Sequence, residues 1–185
     1  MTKTEARKLA KACRAAVDLH TVGHAMAGVL FALPAWQHAD TVLAFASMPD
    51  EPDTADILRQ ALAEGKRLLL PRVLSRTEMD WVEITALSQL QPGAYGILEA
   101  PASLPAFDTA HLGDGALALI PCLAASPDGV RLGRGGGYYD RFLAHYKGKR
   151  LLVCPTAALL GDLPCEGWDV RFSPHEILTE KGILL

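Results

Sequence analysis

Short apolar runs alternate with amphipathic stretches along most of this chain, the pattern of strands separated by helices. From Thr4 to about Leu33 the periodicity is helical, giving one or two helices with a break near Gly23. Val42 to Ser47 reads as a strand. Thr54 to Glu64 reads as a helix with Asp53 as its N-cap and Gly65 just past its end. Further strands are expected at Arg67 to Val73, on an edge at Met79 to Ile84, centrally at Ala116 to Cys122, and at Leu151 to Pro155 and Glu176 to Thr179. Tyr138 to Tyr146 reads as a helix, and Gln91 to Gly115 as a long surface connection whose length suits a cover for a site.

Val/Leu/Ile-rich strands separated by helices predict a largely parallel sheet covered on both faces. In such sheets ligands bind beyond the carboxyl ends of the strands. The segment after Cys122 and the acidic turn after Ser47 would then open onto one crevice.

Length and composition narrow the reading. The 185 residues carry no repeat or linker and are read as one domain, 1–185. The longest apolar stretches, Gly28 to Trp36 and Gly115 to Ala125, are broken by prolines and fall short of the roughly 20 residues that cross a bilayer. The N-terminus lacks the apolar core of a signal peptide, so a cytoplasmic protein is expected. A net charge of −3 argues against nonspecific nucleic-acid binding, and any basic site must be local and built for a small anion. The four scattered cysteines (Cys13, Cys122, Cys154, Cys165) read as buried small hydrophobes, and the six histidines show no zinc-binding spacing.

The richest stretch runs from Arg131 to Leu143. Gly133, Gly135, Gly136 and Gly137 suit close backbone approach to a ligand, Arg131 and Arg134 supply guanidinium groups for phosphate, and Asp140 is an oxygen ligand of the kind Mg²⁺ prefers. A strand before the loop and a helix after it would add an anion site of backbone N–H groups. The glycines taken alone read more often as a mobile turn. The loop is neither a Walker A sequence nor a dinucleotide fingerprint.

Three smaller groups accompany it. Lys3, Arg7 and Arg14 share one helix face, either as a solvated basic stripe or as a polyphosphate site that offsets the unfavourable placement of cations at a helix start. Glu51 precedes Pro52 outside the helix and is free to accept hydrogen bonds from the N–H groups of a heterocycle. Asp169, after Trp168, reads by itself as a turn residue and together with Asp140 as a second Mg²⁺ ligand.

These pieces, with Lys3-x-x-x-Arg7, Glu51-Pro-Asp-Thr54, Gly65-Lys-Arg-Leu-Leu-Leu-Pro-Arg72, Arg131 to Asp140 and Leu163-Pro to Asp169 in that order, resemble the 5-formyltetrahydrofolate cyclo-ligases nearly end to end. The resemblance implies a three-layer α/β/α sandwich with a mostly parallel central sheet, Rossmann-like (NagB/RpiA/CoA-transferase-like). It also implies an enzyme that uses ATP and Mg²⁺ to turn 5-formyltetrahydrofolate into 5,10-methenyltetrahydrofolate. Its partners are small molecules, with no nucleic acid and no membrane, and it acts as a monomer.

By the same resemblance, ATP lies along Lys3, Thr4, Glu5, Ala6 and Arg7, and along Arg131, Leu132, Gly133, Arg134, Gly135, Gly136, Gly137, Tyr138 and Tyr139. The folate lies against Arg7, Glu51, Arg134, Gly135, Gly136, Gly137 and Tyr138; Arg134 and Tyr138 are catalytic; Asp140 and Asp169 hold Mg²⁺. Two departures from the family pattern involve three positions. Ala125 and Ser126 stand where an aromatic and an acid are usual, and Ala158 where Gln is; the lost aromatic implies an enlarged pocket or compensation elsewhere, and the changes bear on substrate affinity more than on phosphate chemistry. A noncatalytic folate- or nucleotide-binding regulator, or an ATP-dependent ligase for a different formamide, are the alternatives.

Overall fold

The computed structural model describes residues 1–93 and 97–185; within the Gln91–Gly115 connection, 94–96 lie outside the described residues. In chain order the helices are α1 (Lys3–Ala15), α2 (Leu19–Phe31), α3 (Pro34–Gln37), α4 (Ala55–Ala63) and α5 (Tyr138–Leu143). The strands are β1 (Thr41–Leu43), β2 (Arg67–Val73), β3 (Met79–Ile84), β4 (Gln91–Pro92), β5 (Leu98–Glu99), β6 (Ala116–Pro121), β7 (Ala124–Ala125), β8 (Arg131–Leu132), β9 (Lys149–Val153), β10 (Ile177–Thr179) and β11 (Gly182–Ile183).

The main sheet has seven strands in the order β11-β10-β9-β6-β1-β2-β3. The strands from β10 to β2 are parallel, and β11 and β3 return antiparallel at the two edges. Both faces are covered. Ala118 and Ile120 of β6 join Leu43, Leu69 and Leu152 in a core closed by Ala6 and Ala10 of α1 and Leu143 of α5. Leu117 and Leu119 point the other way, with Val42, Leu68 and Leu70, into a core closed by Met26 and Leu30 of α2, Trp36 of α3 and Ile57 of α4. This alternation, with apolar side chains on both sides, is why the central strands read as continuous hydrophobic runs. The result is an α/β fold of three layers, and among the described residues no helix is long and apolar enough to cross a membrane.

Several elements differ from the sequence reading. The N-terminal helices break at residues 16–18, not near Gly23, because Asp18 caps α2 by accepting from the N–H groups of His20 and Thr21. Gly23 instead lies inside α2, where a Cβ would sit 2.2 Å from the carbonyl oxygen of Asp53. Its missing side chain therefore lets the turn before α4 lie directly on α2. The N-cap of α4 is Thr54, whose hydroxyl turns back to the Phe45 carbonyl, while Asp53 accepts from the N–H of Ala55. The strand expected over Val42 to Ser47 shortens to β1, and the helix expected to reach Tyr146 stops at Leu143.

Two of the cysteines also depart from expectation. Cys122 and Cys154 are buried, whereas Cys13 is only partly covered and Cys165 is exposed.

Candidate active site

Beyond the carboxyl ends of β1, β2 and β6 lies a cavity of about 790 Å³. Its floor is Phe45 and Ala46 after β1, Leu70 and Pro71 of β2, and Pro121 to Leu123 after β6. The glycine loop from Gly133 to Gly137 forms one wall, and α1 contributes Lys3 and Arg7. The connection after β4 brings Ile97, Leu98 and Glu99 into the lining, so the expected cover does reach the site. It is tied to the sheet edge by Arg72, which pairs with Asp80 at 2.6 Å and donates to the carbonyls of Pro101 and Leu104.

The loop owes its shape to Gly135 and Gly137, at φ of 102° and 68°, backbone that side-chain-bearing residues rarely adopt. Around it the cations are already engaged. Arg7 Nε donates to the Gly133 carbonyl at 3.0 Å, and Arg141 Nη2 donates to that of Gly136 at 2.7 Å. Arg131 Nη2 meets Asp140 Oδ2 at 2.7 Å, leaving its buried Nε without a partner among the described residues. Arg134 reaches across to the turn after β1, contacting Glu51 Oε1 at 3.0 Å and Asp50 with both Nη atoms. Lys3 Nζ lies 2.7 Å from Glu166 and 2.8 Å from Asp169.

These pairs set the local charge. Partial burial works against ionisation of Asp169, but Lys3 and the Glu166 N–H outweigh it and hold the carboxyl below its ordinary value. Burial likewise opposes ionisation of Asp50, and Arg134 overrides it in the same direction. Burial would also lower the Lys3 ammonium, yet Asp169 and Glu166 keep it raised. Tyr139 is the contrary case: burial, then the Glu51 charge, pushes its phenol far up, so it stays a neutral hydroxyl.

Nearly all the expected site residues meet here: Lys3, Arg7, Glu51, Arg131, Leu132, Gly133, Arg134, Gly135, Gly136, Gly137, Tyr138, Tyr139, Asp140 and Asp169 line one cavity. Thr4, Glu5 and Ala6 are not part of its wall. Glu5 closes a capping box with Thr2, accepting from the Thr2 N–H at 2.7 Å, and Ala6 is fully buried in the core under the sheet. Tyr138 donates its hydroxyl to the Ser75 carbonyl at 2.7 Å, bracing the β2–β3 turn against the loop.

Ala125, Ser126 and Ala158 do not line the pocket. All three are completely buried in packed structure away from its wall, with Ser126 Oγ accepting from the Val130 N–H.

Two participants escaped the sequence reading, and a third, Arg14, has another role than the one its place on the basic face implied. Asp50 shares Arg134 with Glu51, and its signal was its place beside Glu51 in the same turn. Glu166 shares Lys3 with Asp169, three residues on, and no pattern marked it. Arg14 shares the basic face of α1 but is only 1% exposed. Its guanidinium donates to the carbonyls of Cys122, Leu123 (2.7 Å) and Asp50 (2.7 Å), fastening α1, the end of β6 and the acidic turn together.

Asp140 and Asp169 are hard oxygen donors lining the same cavity, chemistry that fits Mg²⁺, which takes one or two carboxylates plus phosphates and waters. Among the described residues no group of three or more His, Cys, Asp or Glu side chains is gathered, and a two-carboxylate site of this kind requires none.

Fold and cavity together define an α/β protein with a cation-lined cavity at the carboxyl ends of its parallel strands. A family model described as the 5-formyltetrahydrofolate cyclo-ligase family matches residues 2–180, and the chain belongs to that family of enzymes. The 5-formyltetrahydrofolate cyclo-ligase of Mycolicibacterium smegmatis is 30% identical over 152 residues, 78% of this chain and 76% of that protein. That of Escherichia coli K12 is 32% identical over 137 residues, 71% and 74% of the two chains. The NMR structure of the Aquifex aeolicus 5,10-methenyltetrahydrofolate synthetase superposes with a TM-score of 0.83 at 26% identity, covering 100% of this chain and 92% of that one.

Proposed function

We propose that this protein converts 5-formyltetrahydrofolate to 5,10-methenyltetrahydrofolate at the expense of ATP, with residues 1–185 acting as one catalytic unit. The observation that carries the reading is Arg134, which stands on the glycine loop and touches Glu51 on the facing turn, so one guanidinium joins a phosphate end to a heterocycle end.

A formamide oxygen is a poor leaving group. Attack of that oxygen on the γ-phosphorus of ATP releases ADP and turns it into a phosphate ester. N10 then attacks the formyl carbon, the N10 proton is lost, and the phosphate departs with the former formyl oxygen as the ring closes. The chain's task is to align donor and acceptor and to neutralise charge on the transferring group. Arg134 and Arg131 serve the phosphoryl group, Lys3 and Arg7 the remaining phosphates, and Glu51 accepts from the pterin N–H groups. Asp140 and Asp169 would hold Mg²⁺, which when bound offsets the phosphate charge. Tyr138 borders the formyl group while bracing the β2–β3 turn.

The test is to mix purified protein with 5-formyltetrahydrofolate, Mg²⁺ and ATP and follow the near-ultraviolet absorbance of the methenyl product. An ATP-dependent rise is expected. Folded protein that binds ATP yet forms no product would overturn the reading.

A further inference from the structure

We infer that Trp168 is the platform on which the base of the nucleotide phosphoryl donor stacks. This rests on the ATP-dependent reading above and names a contact which that reading leaves open.

Of the three tryptophans, Trp36 and Trp81 are 1% and 3% exposed, whereas Trp168 is 74% exposed. It lies on the wall of the cavity. Indoles are usually well covered in folded proteins, so one held open at the edge of a site is an available apolar surface. Among the described residues no aromatic ring or cation is paired with it.

The turn that carries it is fastened. The Glu166 N–H donates to Asp169 Oδ2 at 2.7 Å, and the Asp169 N–H donates to the Glu166 carbonyl at 3.0 Å. Both carboxylates grip Lys3. The indole is therefore presented from an ordered turn, which reduces the entropy lost when a ring settles on it.

Its position selects the occupant. Lys3, one end of the cationic set that faces the phosphates, contacts residues on either side of Trp168 in the chain. Glu51, by contrast, is buried and pairs with Arg134 of the glycine loop, not with Lys3. A triphosphate lying along Lys3 and the loop has its base free to settle on the indole. The apolar side chains at the β2 and β5 side, Val73 and Leu98, are left to the other substrate. Stacking uses the π-face that every base possesses, so this contact supplies affinity with little discrimination among bases.

The experiment compares ATP with inorganic tripolyphosphate, both with Mg²⁺, by calorimetric titration of wild type, Trp168→Ala and Trp168→Phe. Alanine should weaken ATP binding by about tenfold, the lower part of the range for losing one base–aromatic stack. It should change tripolyphosphate affinity by less than about twofold, since no base is present. Phenylalanine should restore most of the ATP affinity. Equal weakening of both ligands would overturn the inference by showing that Trp168 acts through the turn and Lys3. Unchanged ATP binding in Trp168→Ala would overturn it as well, while leaving ATP-dependent ligation intact. Wild-type protein that binds no ATP at all would instead remove the ATP-dependent reading itself.

Discussion

Arg134 and Glu51 lie 83 residues apart in the chain and 3.0 Å apart on the cavity wall. Glu51 is the inner partner, nearly excluded from solvent, with its second oxygen accepting from the Met48 N–H at 3.0 Å. Arg134 is the outer one, half-covered and shared with Asp50. A guanidinium shared this way is positioned before any ligand arrives, and burial, which would lower its pKa, is overruled by the two carboxylates.

Replacing Arg134 by Ala removes the guanidinium assigned to the transferring phosphoryl group. We expect kcat to fall by about two to three orders of magnitude, the usual cost of deleting one preorganised charge stabiliser. The far-ultraviolet circular dichroism should be unchanged. Wild-type turnover in this variant would remove Arg134 from the chemistry.

Glu51→Gln keeps an oxygen for the Met48 N–H but loses the charge that pairs with Arg134 and accepts from the pterin. The KM for the folate should rise by roughly tenfold or more, in line with losing a charge-assisted hydrogen bond, with a smaller change in the KM for ATP. Steady-state kinetics with each substrate varied in turn decides it.

Two glycines of α2 make opposite predictions from the same substitution. Gly28→Ala adds a methyl with nothing within 4 Å and should stabilise the protein by about 0.5–1 kcal/mol through helix propensity. Gly23→Ala drives that methyl into the Asp53 backbone and should destabilise by about 1–3 kcal/mol. It should also raise the folate KM, because the displaced turn carries Glu51. Urea unfolding of the two variants side by side is the measurement.

Arg14→Met should cost about 3 kcal/mol or more, since it strips the donor from the buried bonds to the Cys122 and Leu123 carbonyls and from the partly buried one to Asp50. Unfolding at equilibrium in urea would show a lower midpoint with an unchanged slope.

Acid should uncover the Lys3–Asp169 pair. Asp169 is held below its ordinary value of 3.8, so its contribution to stability is complete above that value and is lost as pH falls through the lower folded-state pKa. In Lys3→Met that depression is largely removed. Thermal midpoints followed from pH 5 to 2 should therefore decline less steeply in the variant than in wild type. Parallel curves would show that the pair makes no contribution.

The layered sheet was legible because strands buried on both faces leave unbroken Val/Leu/Ile runs, and Ala116 to Pro121 is the clearest of them. The glycine loop was legible because two of its residues need backbone that only glycine takes easily. Other features depend on partners remote in the chain. Nothing near Gly23 announces the Asp53 backbone lying on it, and a capping aspartate at residue 18 settled the helix break instead. Arg14 has the same spacing signal as Lys3 and Arg7, but three distant carbonyls turn it inward. Ala125 and Ala158 looked like changes to a pocket because a motif records order along the chain, whereas the fold places both within the packed core.

Three cations of this cavity carry their own counterions. Lys3, Arg131 and Arg134 each rest on carboxylates supplied by the chain, so a phosphate arriving at them must exchange places with a side chain, whereas Arg7 and Arg141 rest on backbone carbonyls. Stray inorganic anions gain little from such a trade. A ligand prevails by engaging several positions at once, and selectivity then comes from the number of simultaneous exchanges more than from the strength of any one of them.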